Sequence, residues 1–127
     1  MVKKKEILTV TNTVNLTEII VNAIQDKKGE DIVIMDMKTI HNSLFDKFII
    51  CSAQSKPQSD TIADHIAFTV KKHLGQLPNH IEGSENSEWV LIDYFSTLVH
   101  VFNSESRKYY QLEKLWADAE FTAIESH

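Results

Sequence analysis

Two carboxylates near the ends of apolar runs, Asp36 and Asp93, are the residues from which metal-assisted phosphoryl transfer would have to be built. Such a site needs closely spaced acids on one strand and a Gly-Ser loop beside them. Asp36 instead stands in Met35-Asp36-Met37-Lys38 with no second acid next to it, and its expected role is to cap the loop that follows. The histidines His41, His65, His73, His80, His100 and His127 form no His-Glu-x-x-His pattern, and no cysteine cluster accompanies them, so no metal site is expected. His100 alternates with Val99 and Val101 and reads as a hydrogen-bonded core or sheet-face histidine rather than a catalytic base. Cys51, the lone cysteine, lies in the apolar run Phe48-Ile49-Ile50-Cys51 without an obvious base, which describes a buried, reduced thiol and not a nucleophile. With only 3 glycines the chain has no Gly-x-Gly-x-x-Gly, no P-loop and no Gly-x-Ser-x-Gly. No catalytic residue, no enzyme activity and no cofactor are expected from these residues.

The elements that position these residues follow from periodicity. Leu16, Ile19, Ile20, Ala23 and Ile24 recur at helical spacing behind the capping pair Asn15 and Glu18, and Gly29 is expected to supply a left-handed turn after the helix. Asp31 to Met37 and Lys47 to Ala53 are β-branched and apolar runs too short for helices and read as buried strands. About nine residues join them, a length that permits either parallel or antiparallel pairing. Ser55 as cap, Pro57 in the first turn and Gln58 three residues after the cap start a second helix, which runs to about Leu74 with Ile62, Ile66 and Val70 on its apolar stripe. Trp89 to Tyr94 and Thr97 to Phe102 read as strands joined by a tight turn, and Arg107 to Trp116 as short helices. The order helix, strand, strand, helix, strand, strand, helix predicts an α/β fold with a mixed sheet covered by helices.

The 127 residues amount to one domain, with 43% apolar and 24% charged residues, a composition of soluble globular proteins. A net charge of -5 argues against binding driven by phosphate neutralisation, so a partner that contains RNA would be met mainly through protein, with little direct RNA contact. No stretch approaches the roughly 18 apolar residues of a membrane span, no membrane contact is expected, and a reducing cytoplasm suits the single thiol. The domain is expected over residues 15–118, between flexible tails at 1–14 and 119–127.

Glu88 to Phe102 carries the most information about a site. Period two places Trp89, Leu91 and Asp93 on one side of a strand and Val90, Ile92 and Tyr94 on the other, so both sides carry large apolar groups. Such a strand is either buried on both faces or presents one of them, with Tyr109, Leu112 and Trp116 nearby, as an aromatic docking surface.

An ordered series of motifs extends this reading: Asp31-Ile32-Val33-Ile34-Met35-Asp36, Phe48-Ile49-Ile50-Cys51-Ser52-Ala53-Gln54-Ser55, Ile62-Ala63-Asp64-His65, Glu82-Gly83, Glu88-Trp89-Val90-Leu91-Ile92-Asp93-Tyr94, Val99-His100-Val101-Phe102, and Arg107 through Trp116. In that order and spacing, the chain resembles the ribosomal silencing factor family, also called RsfS or Iojap, over about residues 15–118. The resemblance implies a nucleotidyltransferase-like α/β fold lacking the catalytic residues. It also implies docking on the large ribosomal subunit through ribosomal protein L fourteen, which blocks joining of the small subunit and represses translation when nutrients are short. Carried over residue by residue, the contact falls on Trp89, Leu91, Asp93 and Tyr94, helped by Tyr109, Leu112 and Leu115. The chain departs from the family pattern at Phe95-Ser96, where Gly-Asp is usual, and at Ala53, where Gly is usual. The alternatives are a large-subunit assembly factor using the same surface and, with less support from the residues, an enzyme of the nucleotidyl-transfer type. An apolar docking face left empty would also permit a homodimer.

Overall fold

A computed structural model of the protein describes residues 15–38, 40, 43–83, 88–110, 112–115 and 119–124. Helix α1 (Leu16–Asp26) begins where the Asn15 side chain accepts the Glu18 N–H at 3.2 Å, and buries Ile19, Ile20, Ala23 and Ile24. Strands β1 (Glu30–Asp36) and β2 (Lys47–Ala53) follow. Helix α2 (Lys56–Leu74) starts at Ser55, whose hydroxyl accepts the Gln58 N–H at 3.1 Å, and ends at left-handed Gly75. Then come β3 (His80–Glu82), β4 (Trp89–Asp93), β5 (Thr97–Asn103), the short helices α3 (Ser104–Tyr110) and α4 (Leu112–Leu115), and β6 (Glu120–Ala123).

The strands form one sheet in the order β3-β4-β5-β2-β1-β6. β2 and β5 pair in parallel, and the remaining pairs are antiparallel, so the mixed sheet expected from the element order is present. The antiparallel register of β1 on β2, Ile34 opposite Ile49 and Asp36 opposite Lys47, answers the question that the nine-residue connection left open. The crossover from β2 to β5 runs through α2 and the β3–β4 hairpin.

α1 and α2 cover one face of the sheet. Ile20, Ile24, Ile62, Ile66 and Val70 pack there against Ile49, Cys51, Val90, Ile92, Val99 and Val101 in a single buried cluster; each fully buried Ile or Val contributes roughly 1.5–3 kcal/mol. The Cys51 thiol is fully buried, and this burial pushes its pKa up to about 12, as suits an inert core thiol. The opposite face carries a second cluster of Met35, Met37, Phe48, Ile50, Phe102 and Ala119, with Trp89 and Leu98 packed at its margin.

Three sequence expectations change. Residues 119–124 are not a tail: β6 pairs along β1, Ala123 opposite Val33, and the Ile124 N–H donates to the Ile32 carbonyl at 2.9 Å. The free edge of β1 needs these hydrogen bonds. β3 is a further strand, paired on β4 with Ile81 opposite Ile92. Gly29 is not the left-handed residue after α1; Lys28 is, at φ 66°. Gly29 is required for another reason, since a Cβ there would stand 2.3 Å from Cγ2 of Ile24. The expected tail at residues 1–14 lies outside the described residues.

Candidate docking surface

β4 separates its two sides clearly. Val90, Ile92 and the following Tyr94 are buried against the helices, whereas Trp89, Leu91 and Asp93 are half-buried on the opposite side. Cross-strand pairing sets Trp89 opposite Phe102, Leu91 opposite His100 and Asp93 opposite Leu98, with Glu82 and His80 of β3 alongside Leu91 and Asp93. On that side Trp89, Leu91, Asp93 and Leu98 keep partial exposure, with exposed His80 and Glu82 beside them, while Phe102 and His100 of β5 are buried. The framework there is an aromatic stack: Trp89 and Phe102 lie 4.8 Å apart at 29°, Phe48 and His100 are 4.8 Å apart, and His100 is nearly parallel to Phe102.

His100 has the role its alternation suggested. The Trp89 indole N–H donates to Nδ1 of His100 at 3.0 Å, which leaves the imidazole proton on Nε2. Burial holds the ring neutral, with its pKa pushed down to about 3. Gly83 lets β4 pass close by, because a Cβ on it would meet the Trp89 carbonyl oxygen at 2.1 Å.

The two carboxylates weighed for chemistry serve turns. Oδ1 of Asp36 accepts the Lys38 N–H at 2.9 Å, the loop-capping role expected of it. Oδ1 of Asp93 accepts the Phe95 N–H at 2.7 Å, and its backbone carbonyl accepts the Asn79 N–H at 2.8 Å. β5 and β2 stand between β4 and β1 in the sheet, which separates Asp36 and Asp93 by three strand spacings, on the order of 14 Å. Among the described residues no three His, Cys, Asp or Glu side chains converge on a common point.

Tyr94 does not belong to this surface. Its ring is 1% exposed, in the core beside the helices, because one residue further along β4 turns the side chain to the other face. Burial pushes its hydroxyl up to about 12. Tyr109 lies in α3 and Leu112 and Leu115 in α4, and the side chains of all three fall outside the described residues. α3 is tied to the face of the sheet opposite α1 and α2: Arg107 donates from Nη1 to the Ser52 hydroxyl at 2.8 Å, and Ser52 is the cross-strand neighbour of Phe102. The groove beside it, about 610 Å³, is lined by Asp31, Ser52, Arg107 and Glu113, and the guanidinium there is already engaged by the protein itself.

Residue type did not single out Phe95 as a surface group. Phe95 occupies the β4–β5 turn at φ 70° and is 64% exposed. A left-handed backbone costs a residue with a Cβ about 1–2 kcal/mol, so this is the position where glycine would be at ease. Leu98, which packs beside Trp89 at the margin of the second cluster, is legible in the sequence as a strand residue but not as part of this surface.

The fold and this surface define a mixed α/β domain in which half-buried Trp89 and Leu91 lie at the margin of a buried aromatic stack. The chain belongs to the ribosomal silencing factor family: the family described as "Ribosomal silencing factor during starvation" matches residues 10–127. It is 42% identical over 110 residues to a ribosomal silencing factor RsfS of Halalkalibacterium halodurans, spanning 87% of this chain and 92% of that protein. The RsfS of Bacillus subtilis is 38% identical over 108 residues, 85% of this chain and 90% of that one. A mouse protein named mitochondrial assembly of ribosomal large subunit protein 1 is 26% identical over 102 residues, 78% of this chain and 44% of its own length. A crystal structure of a Chromobacterium violaceum protein superposes with a TM-score of 0.76 at 32% identity, covering 80% of this chain and 83% of that one. One from Bacillus halodurans superposes at 0.73 with 40% identity, covering 87% and 96%.

Proposed function

We propose that this protein docks on the large ribosomal subunit through ribosomal protein L fourteen, blocks joining of the small subunit and so represses translation when nutrients are short. The observation that carries the reading is the open face of β4, where Trp89 and Leu91 are partly exposed over a rigid aromatic stack. Aromatic anchors held by their own scaffold lose little side-chain freedom on binding and are the usual centres of interfaces. Exposed Glu82 and Glu88 and the net charge of -5 suit a cationic protein surface better than exposed RNA. The site of action is the cytoplasm, and among the described residues no helix is long and apolar enough to cross a membrane. A body of 14.6 kDa on the joining face excludes the other subunit by volume alone.

The test is co-sedimentation of the purified protein with isolated large and small subunits, followed by a joining assay at fixed magnesium. Selective pelleting with the large subunit and loss of joined particles are expected. Trp89→Ala and Leu91→Ala, each folded, should weaken pelleting by ~10-fold or more. Pelleting with neither subunit overturns the reading. The name of the mouse relative favours a second role for the same surface, in assembly of the large subunit. Accumulated large-subunit precursors in a deletion strain would indicate assembly, and excess joined ribosomes in starvation would indicate silencing.

A further inference from the structure

The β4–β5 turn combines backbone strain, heavy bracing and an exposed aromatic ring. Phe95 has φ 70°, a conformation disfavoured for any residue with a Cβ, yet its ring is 64% exposed and so gains little from packing within the protein. Hydrogen bonds over-determine the turn. The Asp93 carboxylate accepts the Phe95 N–H at 2.7 Å, the Tyr94 carbonyl accepts the Ser96 N–H at 2.8 Å, and the Thr97 carbonyl accepts the Tyr94 N–H at 2.9 Å. From outside, the Ser96 carbonyl takes the N–H groups of Asp46 and Lys47 at 2.8 and 3.2 Å. This last pair ties the turn to the loop carrying Leu44, which is 88% exposed. The Asn79 N–H on the Asp93 carbonyl ties it to the segment carrying Leu77, which is 62% exposed. Exposed Phe95 thus stands in a heavily braced turn, and exposed Leu44 and Leu77 lie on the two segments hydrogen-bonded to it.

We propose that Phe95 is an anchor of the docking face, inserted into an apolar recess on a cationic protein surface of the large subunit with Leu44 and Leu77 at its rim. The inference rests on the docking reading above. Continuity supports this occupant, since Asp93 closes the row Trp89, Leu91, Asp93 and its carboxylate sets the Phe95 backbone. Charge supports it as well: Asp46 and Asp93, the acids of the brace, disfavour a phosphate backbone and favour Lys or Arg around the recess. A residue that is strained and exposed in the free protein gains from its position only when a partner covers it.

Phe95→Gly separates anchor from scaffold, because it removes the ring and relieves the backbone. The expected result is a thermal midpoint equal to or above wild type, with large-subunit pelleting weakened by about tenfold; Phe95→Leu, apolar at the same position, should stay within about threefold of wild type. Unchanged pelleting by Phe95→Gly, under conditions where Trp89→Ala loses it, overturns the anchor and leaves the docking reading standing. A wild-type protein that pellets with no subunit overturns both. If Phe95→Gly weakens binding equally to large-subunit RNA freed of protein, the ring stacks on RNA and the protein recess is wrong. A lowered midpoint for Phe95→Gly together with lost binding would make the residue part of the scaffold instead.

Discussion

Trp89 gives its indole N–H to Nδ1 of His100 across 3.0 Å, and the two rings lie 5.9 Å apart on the side of the sheet away from α1 and α2. The bond fixes the histidine tautomer and the orientation of the indole at once, so a buried polar residue in β5 positions the half-buried aromatic of β4. The burial of His100 also makes stability depend on pH. Burial moves the His100 pKa from 6.5 down to about 3. The unfolded chain therefore takes up a proton that the folded chain refuses. The contribution is complete above about pH 6.5 and is lost as pH falls from there towards 3, at a slope on the order of 1 kcal/mol per pH unit.

His100→Phe removes the acceptor of the Trp89 indole but also a buried Nε2–H without a partner among the described residues, so its stability at pH 7 should differ from wild type by less than about 1–2 kcal/mol, and it should lose less stability on going from pH 7 to pH 5. Urea unfolding at the two pH values reads both effects. Parallel pH slopes in the two proteins would show that His100 does not carry this dependence.

Tyr94 and Trp89 were indistinguishable by type, and burial separates them. The Tyr94 hydroxyl is buried with no hydrogen-bond partner among the described residues. Tyr94→Phe should leave unfolding free energy unchanged or raise it by up to about 1 kcal/mol, with subunit pelleting intact. Tyr94→Ala should lose about 3–5 kcal/mol through the cavity it leaves. Weakened pelleting by a fully folded Tyr94→Phe would return the hydroxyl to the contact surface.

The parts of the fold that could be read from residues are those in which side chains answer a local demand. Asn15 and Ser55 cap orphan N–H groups three residues on, and the stripes of α1 and α2 repeat because each helix buries one side. β3 and β6 escaped because they are edge strands whose residues are all exposed, so no alternation marks them and only the demand of a neighbouring strand creates them. The row Trp89, Leu91, Asp93 followed from the two-residue period. Which side stays open depends on where α1 and α2 pack, a tertiary fact that β4 alone does not encode. The left-handed backbones of Lys28 and Phe95 are hidden because Lys and Phe rarely adopt them, whereas Asp31 is of a type that tolerates positive φ but stands inside an apolar strand run that does not suggest it.

Gln58 shows how a capping residue becomes a tertiary clamp. Its Oε1 accepts the Gln54 N–H at 2.7 Å, and its Nε2 donates to the carbonyls of Lys27 and Lys28 at 3.2 and 3.0 Å, holding the end of α1 where Lys28 turns left-handed. Gln58→Ala should cost about 1–3 kcal/mol. Gln58→Glu should cost at least as much at pH 7, since a carboxylate would then face two carbonyl oxygens. Thermal unfolding of both variants checks this, and a Glu variant as stable as wild type would show that the two donated bonds contribute nothing.

Arg107 joins elements that meet nowhere else in sequence. From α3 its Nη1 reaches the Asp31 carbonyl at 2.6 Å and the Ser52 hydroxyl at 2.8 Å, and its Nη2 pairs with Glu113 of α4 at 2.6 Å, with only 12% of the side chain exposed. Asp31 is itself left-handed at φ 51°, in the stretch where the β1–β2 register shifts, so the guanidinium holds a bulge beside the strand that pairs with β6. A planar fork can serve three acceptors in fixed directions, whereas a lysine ammonium brings one point of charge. Arg107→Lys should therefore lower unfolding free energy by about 2–3 kcal/mol and Arg107→Ala by about 3–5 kcal/mol, the latter leaving the Glu113 carboxylate without its partner. Removing Glu113 as well should recover part of the Ala loss, and hydrogen exchange should show α4 and β6 opening before the β2–β5 pair. Equal protection across the sheet in Arg107→Ala would mean that α4 and β6 are held independently of this clamp.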